Sequence, residues 1–321
     1  MQKLISLVVP VYNEEKNLHL FYHALQLELE KLPPYLFEII FVDDGSRDTS
    51  WNIIQTLHRT DSRIRGFKLS RNFGHQIALS AGYAQAQGHA IISMDADLQD
   101  PPSLIHDFLI HWEQGSLVVY ARRVNRKDPF LKKVTARLFY ALLKRISPLD
   151  IPQSVGDFRL IDRSVLTILV QLKEQTKFLR GLVAWCGFKH TFVDFKRPAR
   201  VHGESGYTWK KMFRLAFDGV ISFSSILVKI PAFIGTALLC ATLYLSCFHL
   251  ISTATSLILG ALTLQFFCVW LLAEYISRIL DQVKNRPLYI IATTTNTVDS
   301  THAHKTSFER TPHLSDQEHY R

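Results

Sequence analysis

The chain has 321 residues, 47% hydrophobic and 20% charged, which excludes a wholly disordered protein and leaves room for one large domain or two small ones. A formal charge of +9 calls for an anionic partner: nucleic acid, anionic lipid or a phosphorylated substrate. Cys186, Cys240, Cys247 and Cys268 form no CxxC or Cys/His pattern, so they read as buried thiols in a reducing environment, neither zinc ligands nor a disulfide frame.

The opening MQKLISLVVPVYNEE has an apolar run that stops at Pro10 and meets acidic residues at once, which reads as a first strand and not a signal peptide. Over residues 4–121, LISLVV, FEIIFV, IRGFKLS, HAIISM and SLVVYA read as strands. Between them, EEKNLHLFYHALQLELEKL, DTSWNIIQTLHR, GHQIALSAGYAQAQG and PPSLIHDFLIHWEQG read as helices. This alternation predicts an α/β domain with an open, mainly parallel sheet covered by helices on both faces. Such sheets bind ligands at the carboxyl ends of their strands. All four available ends are polar: PVYNEE, DDGSRDTS, RNFGHQ and DADLQDPP. Each alone is also ordinary turn or capping chemistry, as Asp-Gly-Ser and Asp48 or Thr49 illustrate. Four in succession point to a site.

Further along, residues 128–147 place Phe130, Leu131, Val134, Leu138, Leu142 and Ile146 at helical spacing among Lys132, Lys133, Arg137, Lys144 and Arg145. A basic amphipathic helix of this kind suits a membrane interface, or a domain surface with a solvated basic face. Residues 207–230 repeat the pattern. Then come 231–251, with no charge, and 256–276, with Glu274 alone; each reaches the roughly 20 residues that cross a bilayer. Lys210, Lys211, Arg214 and Lys229 precede the first stretch, Arg278, Lys284 and Arg286 follow the second, and the turn between has no basic residue. The positive-inside rule therefore puts both ends and the N-terminal domain in the cytoplasm. The basic charge thus belongs to a membrane surface and not to nucleic acid. The tail after Ile291 is polar, low in aliphatic residues and expected to be disordered.

Asp95-Ala96-Asp97 gives a strand end the carboxylate oxygens that suit magnesium or manganese, cations that bridge proteins to nucleotide diphosphates. With VVPVYNEE, FVDDGSRDTS, LSRNFGHQIALSAGYAQAQG, ISMDADLQDPP, GDFRLIDRSV, FLRGLVAWCGF and RVHGESGYTWKKM, the chain resembles the family-2 glycosyltransferases of GT-A fold. More narrowly it resembles the polyprenyl-phosphate glycosyltransferases, the group that includes dolichyl-phosphate mannose synthase and bactoprenol glucosyltransferase. The resemblance runs over roughly residues 4–285, and the combination of RNFGHQ, DADLQDPP and GDFRL is its most specific part. It divides the chain into a GT-A domain (1–206), an amphipathic juxtamembrane helix (207–230), two transmembrane helices (231–285) and a cytoplasmic tail (286–321).

The resemblance implies that Pro10, Tyr12 and Glu14 line the base and ribose, and that Asp43 or Asp44 accepts hydrogen bonds from them. Asp95, Asp97 and Gln99 would serve the metal and the diphosphate, with Asp97 the firmest ligand. Arg200 and Ser205 would close over donor and acceptor, and Arg122, Arg123 and Lys210 would grip the acceptor phosphate, with a solvated loop or lipid contact as the other reading of the first two. Asp157 falls at the position usually assigned as catalytic base, although an ionised phosphate monoester barely needs one; orienting the acceptor, holding a sugar hydroxyl, or pairing at a helix edge with Arg159 or Arg163 are its other readings. FLRGLVAW lacks the QxxRW of processive synthases, which favours transfer of a single sugar with inversion. The expected partners are UDP-glucose, undecaprenyl phosphate and membrane lipid at the inner membrane; the family precedent allows a homo-oligomer. A GDP-mannose or UDP-amino-sugar donor is the alternative, as is a non-catalytic membrane protein that binds nucleotide or carrier lipid.

Overall fold

The computed structural model describes residues 2–124, 152, 155–172, 174, 177–196, 253–284 and 286–295. Elements run in the order β1 (Lys3–Val11), α1 (Leu18–Leu29), β2 (Tyr35–Asp43), α2 (Ser50–Thr60), β3 (Ile64–Leu69), α3 (His75–Gln85), β4 (Ala90–Ser93), α4 (Leu104–Glu113) and β5 (Val118–Arg123). Then follow β6 (Val155–Asp162), α5 (Arg163–Gln171), α6 (Leu179–Trp185), β7 (His190–Phe195), α7 (Thr253–Val283) and β8 (Ile291–Thr294). The eight described strands join one sheet in the order β7-β5-β6-β4-β1-β2-β3-β8.

The expected parallel sheet is present as β4-β1-β2-β3, in register Val8↔Ser93, Val8↔Ile40 and Val42↔Phe67. β6 and β8 add antiparallel neighbours to β4 and β3, which makes the sheet mixed. Strand alternation explains the two cores. Ile5, Leu7, Val9 and Val11 of β1 face Phe37, Ile39 and Phe41 of β2 and meet Leu18, Phe21, Ile54, Ile105 and Phe108 from α1, α2 and α4. Val8, Ile40 and Val42 point the other way, onto Ala78, Leu79 and Tyr83 of α3 and Val165, Leu166, Leu182 and Val183 of α5 and α6. At Gly82 of α3, a Cβ would come within 2.3 Å of Val8 Cγ1, so the helix lies close on the sheet because that residue is glycine.

The end of the sheet away from the polar loops is tied by buried polar groups. Glu38 accepts from Ser6 Oγ (2.6 Å), Gln87 N (2.6 Å) and Arg65 (2.8 Å). Replacing Glu38 with alanine leaves Ser6 Oγ and Gln87 N without this acceptor and removes the counter-charge of Arg65, which keeps its bond to Gln85 O (3.0 Å). We expect a loss of about 2 kcal/mol in urea unfolding, less than for a fully enclosed pair because Arg65 keeps some contact with water.

One expectation for the C-terminal part changes. Ile291–Thr294 does not open a disordered tail: it pairs with β3, with Thr295 N donating to Gly66 O and Ser70 N to Ile290 O. Among the described residues no helix is long and apolar enough to cross a membrane. The stretch 256–276 lies inside α7, whose 31 residues span about 46 Å at ~1.5 Å per residue, but part of its side chains fall outside the description. The other expected span, 231–251, and the amphipathic segments 128–147 and 207–230 lie outside the described residues.

Candidate active site

The polar ends of β1, β2 and β3 converge because backbone amides of each donate to side-chain oxygens of a neighbouring end. After β1, Asn13 N donates to Ser46 Oγ (3.0 Å), and Arg47 N donates back to Asn13 Oδ1 (2.9 Å). Asn13 has φ +55°, a conformation asparagine tolerates better than most residues. Glu15 receives Thr49 N and Oγ1, and Glu14 N donates to Ser50 Oγ at the start of α2. The DDGS loop in turn lies against the loop after β3. Gly45 has φ +69°, and a Cβ there would stand 2.5 Å from the Arg71 carbonyl carbon and 2.7 Å from Asn72 N.

The adjacent aspartates of this loop do different jobs. Asp44 accepts Phe73 N (2.7 Å) on one oxygen and Gly74 N (2.9 Å) on the other, so its carboxylate holds the RNFG loop. Asp43 is fully buried; Ser46 N donates to its Oδ1 at 2.9 Å, and its Oδ2 has no hydrogen-bond partner among the described residues. Burial pushes both carboxyls above their ordinary range, with the Ser46 contacts and the Phe73 and Gly74 amides working against that rise. A buried carboxylate oxygen without a donor is costly, and a ligand N–H or O–H would relieve it. Of the two aspartates singled out for the nucleotide, Asp43 is the one with an oxygen to offer. Pro10 is buried inside β1 while Tyr12 is exposed beyond it.

After β4 the chain turns at once. Asp95 N donates to Asp100 Oδ2 (3.1 Å), Gln99 N donates to Asp97 Oδ1 (3.0 Å), and Leu98 between them has φ +61°. Asp97 is buried, whereas the Asp95 side chain is one-third exposed. Two hard carboxylates, with the Gln99 amide beside them, suit a magnesium or manganese ion. Among the described residues no group of three His, Cys, Asp or Glu side chains forms a self-sufficient metal cage, so a cation here would take further oxygens from ligand or water.

Asp157, on β6, is the hub of the remaining polar groups. Its Oδ1 accepts Arg159 Nη2 (2.8 Å); its Oδ2 accepts Gln76 Nε2 (2.9 Å) and Arg180 Nη2 (3.0 Å). His75 Nε2 lies 3.4 Å from Asp157 Oδ2 and 3.8 Å from Asp95 Oδ1, and so links the acidic loop to the hub. Burial would raise the Asp157 carboxyl, but Arg180, His75 and Arg159 outweigh it and hold the group well below the usual carboxylate range. Burial would lower His75; Asp95 and Asp157 overcome this and push it up to about 9. His75, Gln76 and Arg180 are site residues that the strand-end reading does not single out, although RNFGHQ and FLRGLVAW contain them; Arg159 is the pairing partner that GDFRL offers Asp157.

The expected phosphate grips separate. Arg122 forms a fork with Asp194 (2.6 and 2.9 Å) and lies over the Phe192 ring. Arg123 instead sits against Gly156, where a Cβ would meet its Nη2 at 2.8 Å. Arg200, Ser205 and Lys210 lie outside the described residues.

An α/β sheet of GT-A-like order, with acidic loops at the ends of β1, β2 and β4, is that of a glycosyltransferase. The chain belongs to glycosyl transferase family 2, which it matches over residues 6–169. It is 43% identical to the uncharacterized glycosyltransferase YkcC of Bacillus subtilis (strain 168), over 89% of this chain and 92% of that protein. It is 38% identical to the SfII prophage-derived bactoprenol glucosyl transferase of Shigella flexneri, over 89% of this chain and 97% of that protein. Among solved structures, mannosyl-3-phosphoglycerate synthase from Rubrobacter xylanophilus aligns with 16% identity and a TM-score of 0.47, covering 68% of this chain and 72% of that one.

Proposed function

We propose that the protein transfers one hexose, glucose from UDP-glucose, to a polyprenyl phosphate such as undecaprenyl phosphate at the cytoplasmic face of the cell membrane. The observation that carries this reading is the His75 link between Asp95 and the cationic hub at Asp157, beside the strand-end carboxylates Asp43 and Asp97, in a chain similar to bactoprenol glucosyl transferases. In this account Asp43 Oδ2 takes a donor from the base or ribose, with Tyr12 exposed nearby and Glu14 bracing the loop. Asp95 and Asp97 would hold a magnesium or manganese ion, whose chemistry is to neutralise the charge of the leaving diphosphate.

Membrane apposition rests on the sequence of 207–276 and on one feature of the sheet. Residues before 196 and residues 291–294 share that sheet, so any excursion of the intervening chain into a bilayer must return to the side it left. This supports an even number of crossings, as two spans with basic flanks require. The single-sugar reading rests on the absence of QxxRW from FLRGLVAW.

Calorimetric titration of the full chain in nanodiscs with UDP-glucose, GDP-mannose and UDP-N-acetylglucosamine, each with magnesium, tests the donor assignment. UDP-glucose should bind most tightly; preference for either other sugar nucleotide would overturn that choice. Asp43→Ala should weaken UDP-glucose by about 10- to 100-fold, the worth of one hydrogen bond to a charged group, while leaving the thermal midpoint within a few degrees. Unchanged affinity would remove Asp43 from the nucleotide site.

A further inference from the structure

Asp157 has too many partners to be waiting for a proton. Arg159, Gln76 and Arg180 hydrogen-bond its two oxygens, and His75 stands within ion-pair range. Its backbone is also fixed: Ser93 Oγ donates to Asp157 O, and Tyr83 donates to Ser93 Oγ at 2.9 Å. To take a proton, the carboxylate would have to give up contacts to buried cations, with Arg159 fully enclosed. Asp157, Arg159 and Arg180 together carry a net positive charge whatever the state of His75.

That charge is not distributed evenly. Arg159 lies inside the domain, whereas the Arg180 side chain is 23% exposed and that of His75 39% exposed. His75 Nε2 lies 3.8 Å from Asp95 Oδ1, on the side where the diphosphate is expected, and shares Asp157 Oδ2 with Arg180. Both are held from below through rigid contacts: Gln76 Nε2 donates to Asp157, and Leu179 N donates to Gln76 Oε1 (3.2 Å), which ties the start of α3 to the start of α6. Arg180 turns Nε and Nη2 to Asp157 (3.4 and 3.0 Å), which fixes the plane of its partly exposed guanidinium, and a cation held in place in this way suits the oxygens of a tetrahedral anion.

We propose that Arg180 and His75 form a phosphate-oxygen grip, and that Asp157 positions them without acting as the proton acceptor of the reaction. This rests on the transfer reading above, and the chemistry agrees with it. A lone pair of the phosphate monoester forms the new bond to the anomeric carbon, while the bond to the nucleotide diphosphate breaks and leaves its electron pair there. A dianionic monoester has no proton to surrender, since its second pKa is about 6. The gripped phosphate belongs either to the donor diphosphate or to the acceptor.

Binding to the full chain in nanodiscs separates those sources with four probes: uridine, UDP, farnesol and farnesyl phosphate. Arg180→Gln should weaken a phosphate-bearing probe about 10- to 100-fold and leave its phosphate-free counterpart unchanged. Loss confined to UDP assigns the donor diphosphate; loss confined to farnesyl phosphate assigns the acceptor. Arg180→Lys, which keeps the charge without the fork, should recover part of the loss, and His75→Gln should follow the same probe. No change with either phosphate, or equal weakening of uridine and UDP, would overturn the grip. For Asp157→Asn, kcat should fall with the acid limb of the pH profile kept. Disappearance of a wild-type acid limb in that variant would restore Asp157 as the base. A wild type that binds UDP yet makes no glycolipid would remove the transfer reading alone, because the binding arms need no turnover.

Discussion

Asp157→Ala should lower the free energy of unfolding by about 3–5 kcal/mol, because it leaves Arg159 buried with no counter-charge. The guanidinium is fully enclosed, and its Nε and Nη1 have no hydrogen-bond partner among the described residues. The effect should depend on pH in a defined direction. The folded-state pKa of Asp157 is held well below the ordinary 3.8, so its contribution is present above that value and is lost as pH falls through the depressed one. Urea unfolding of wild type and Asp157→Ala should therefore differ most near neutrality and converge in strong acid. A constant gap down to the lowest accessible pH would mean that the carboxylate's charge is not what stabilises the hub.

Gly45→Ala should be about as damaging, for a steric reason. Alanine at φ +69° costs about 1–2 kcal/mol from the left-handed backbone alone. Its Cβ would also fall 2.5 and 2.7 Å from backbone atoms of Arg71 and Asn72, which cannot swing aside as a side-chain tip could. Together we expect about 3 kcal/mol or more in urea unfolding. Separation of the two loops would break the contacts from Asp44 to Phe73 and Gly74, so His75 would move and UDP affinity would fall with stability. Wild-type stability in Gly45→Ala would contradict the close approach of these loops.

The sheet from β1 to β5 and the first four helices are legible in the sequence because each strand alternates between two apolar layers and each end is polar. β6 is not legible in the same way. Asp157 and Arg159 are charged residues in mid-strand, which an apolar pattern rejects, and they are tolerated there because they pair with each other and with Arg180. β8 is four residues long and reads as tail until β3 supplies its partner. Asp43, Asp95 and Asp97 are visible as strand-end acids, but the sequence cannot divide the labour between Asp43 and Asp44. That division depends on Phe73 and Gly74, about thirty positions away, whose amides occupy both oxygens of Asp44. His75 and Arg180 escape for the same reason: each gains its meaning from Asp157, which only the fold brings near. RNFGHQ and FLRGLVAW carry the signal as polar residues set into otherwise apolar or loop sequence.

The most direct measurement is product formation by the purified full chain in nanodiscs containing undecaprenyl phosphate, supplied with labelled UDP-glucose and magnesium. Wild type should form a lipid-extractable product whose mass corresponds to one hexose on the phosphate, and chelation or Asp97→Asn should abolish it. Bound UDP-glucose with no labelled lipid, or a lipid carrying a chain of several sugars, would contradict this reading.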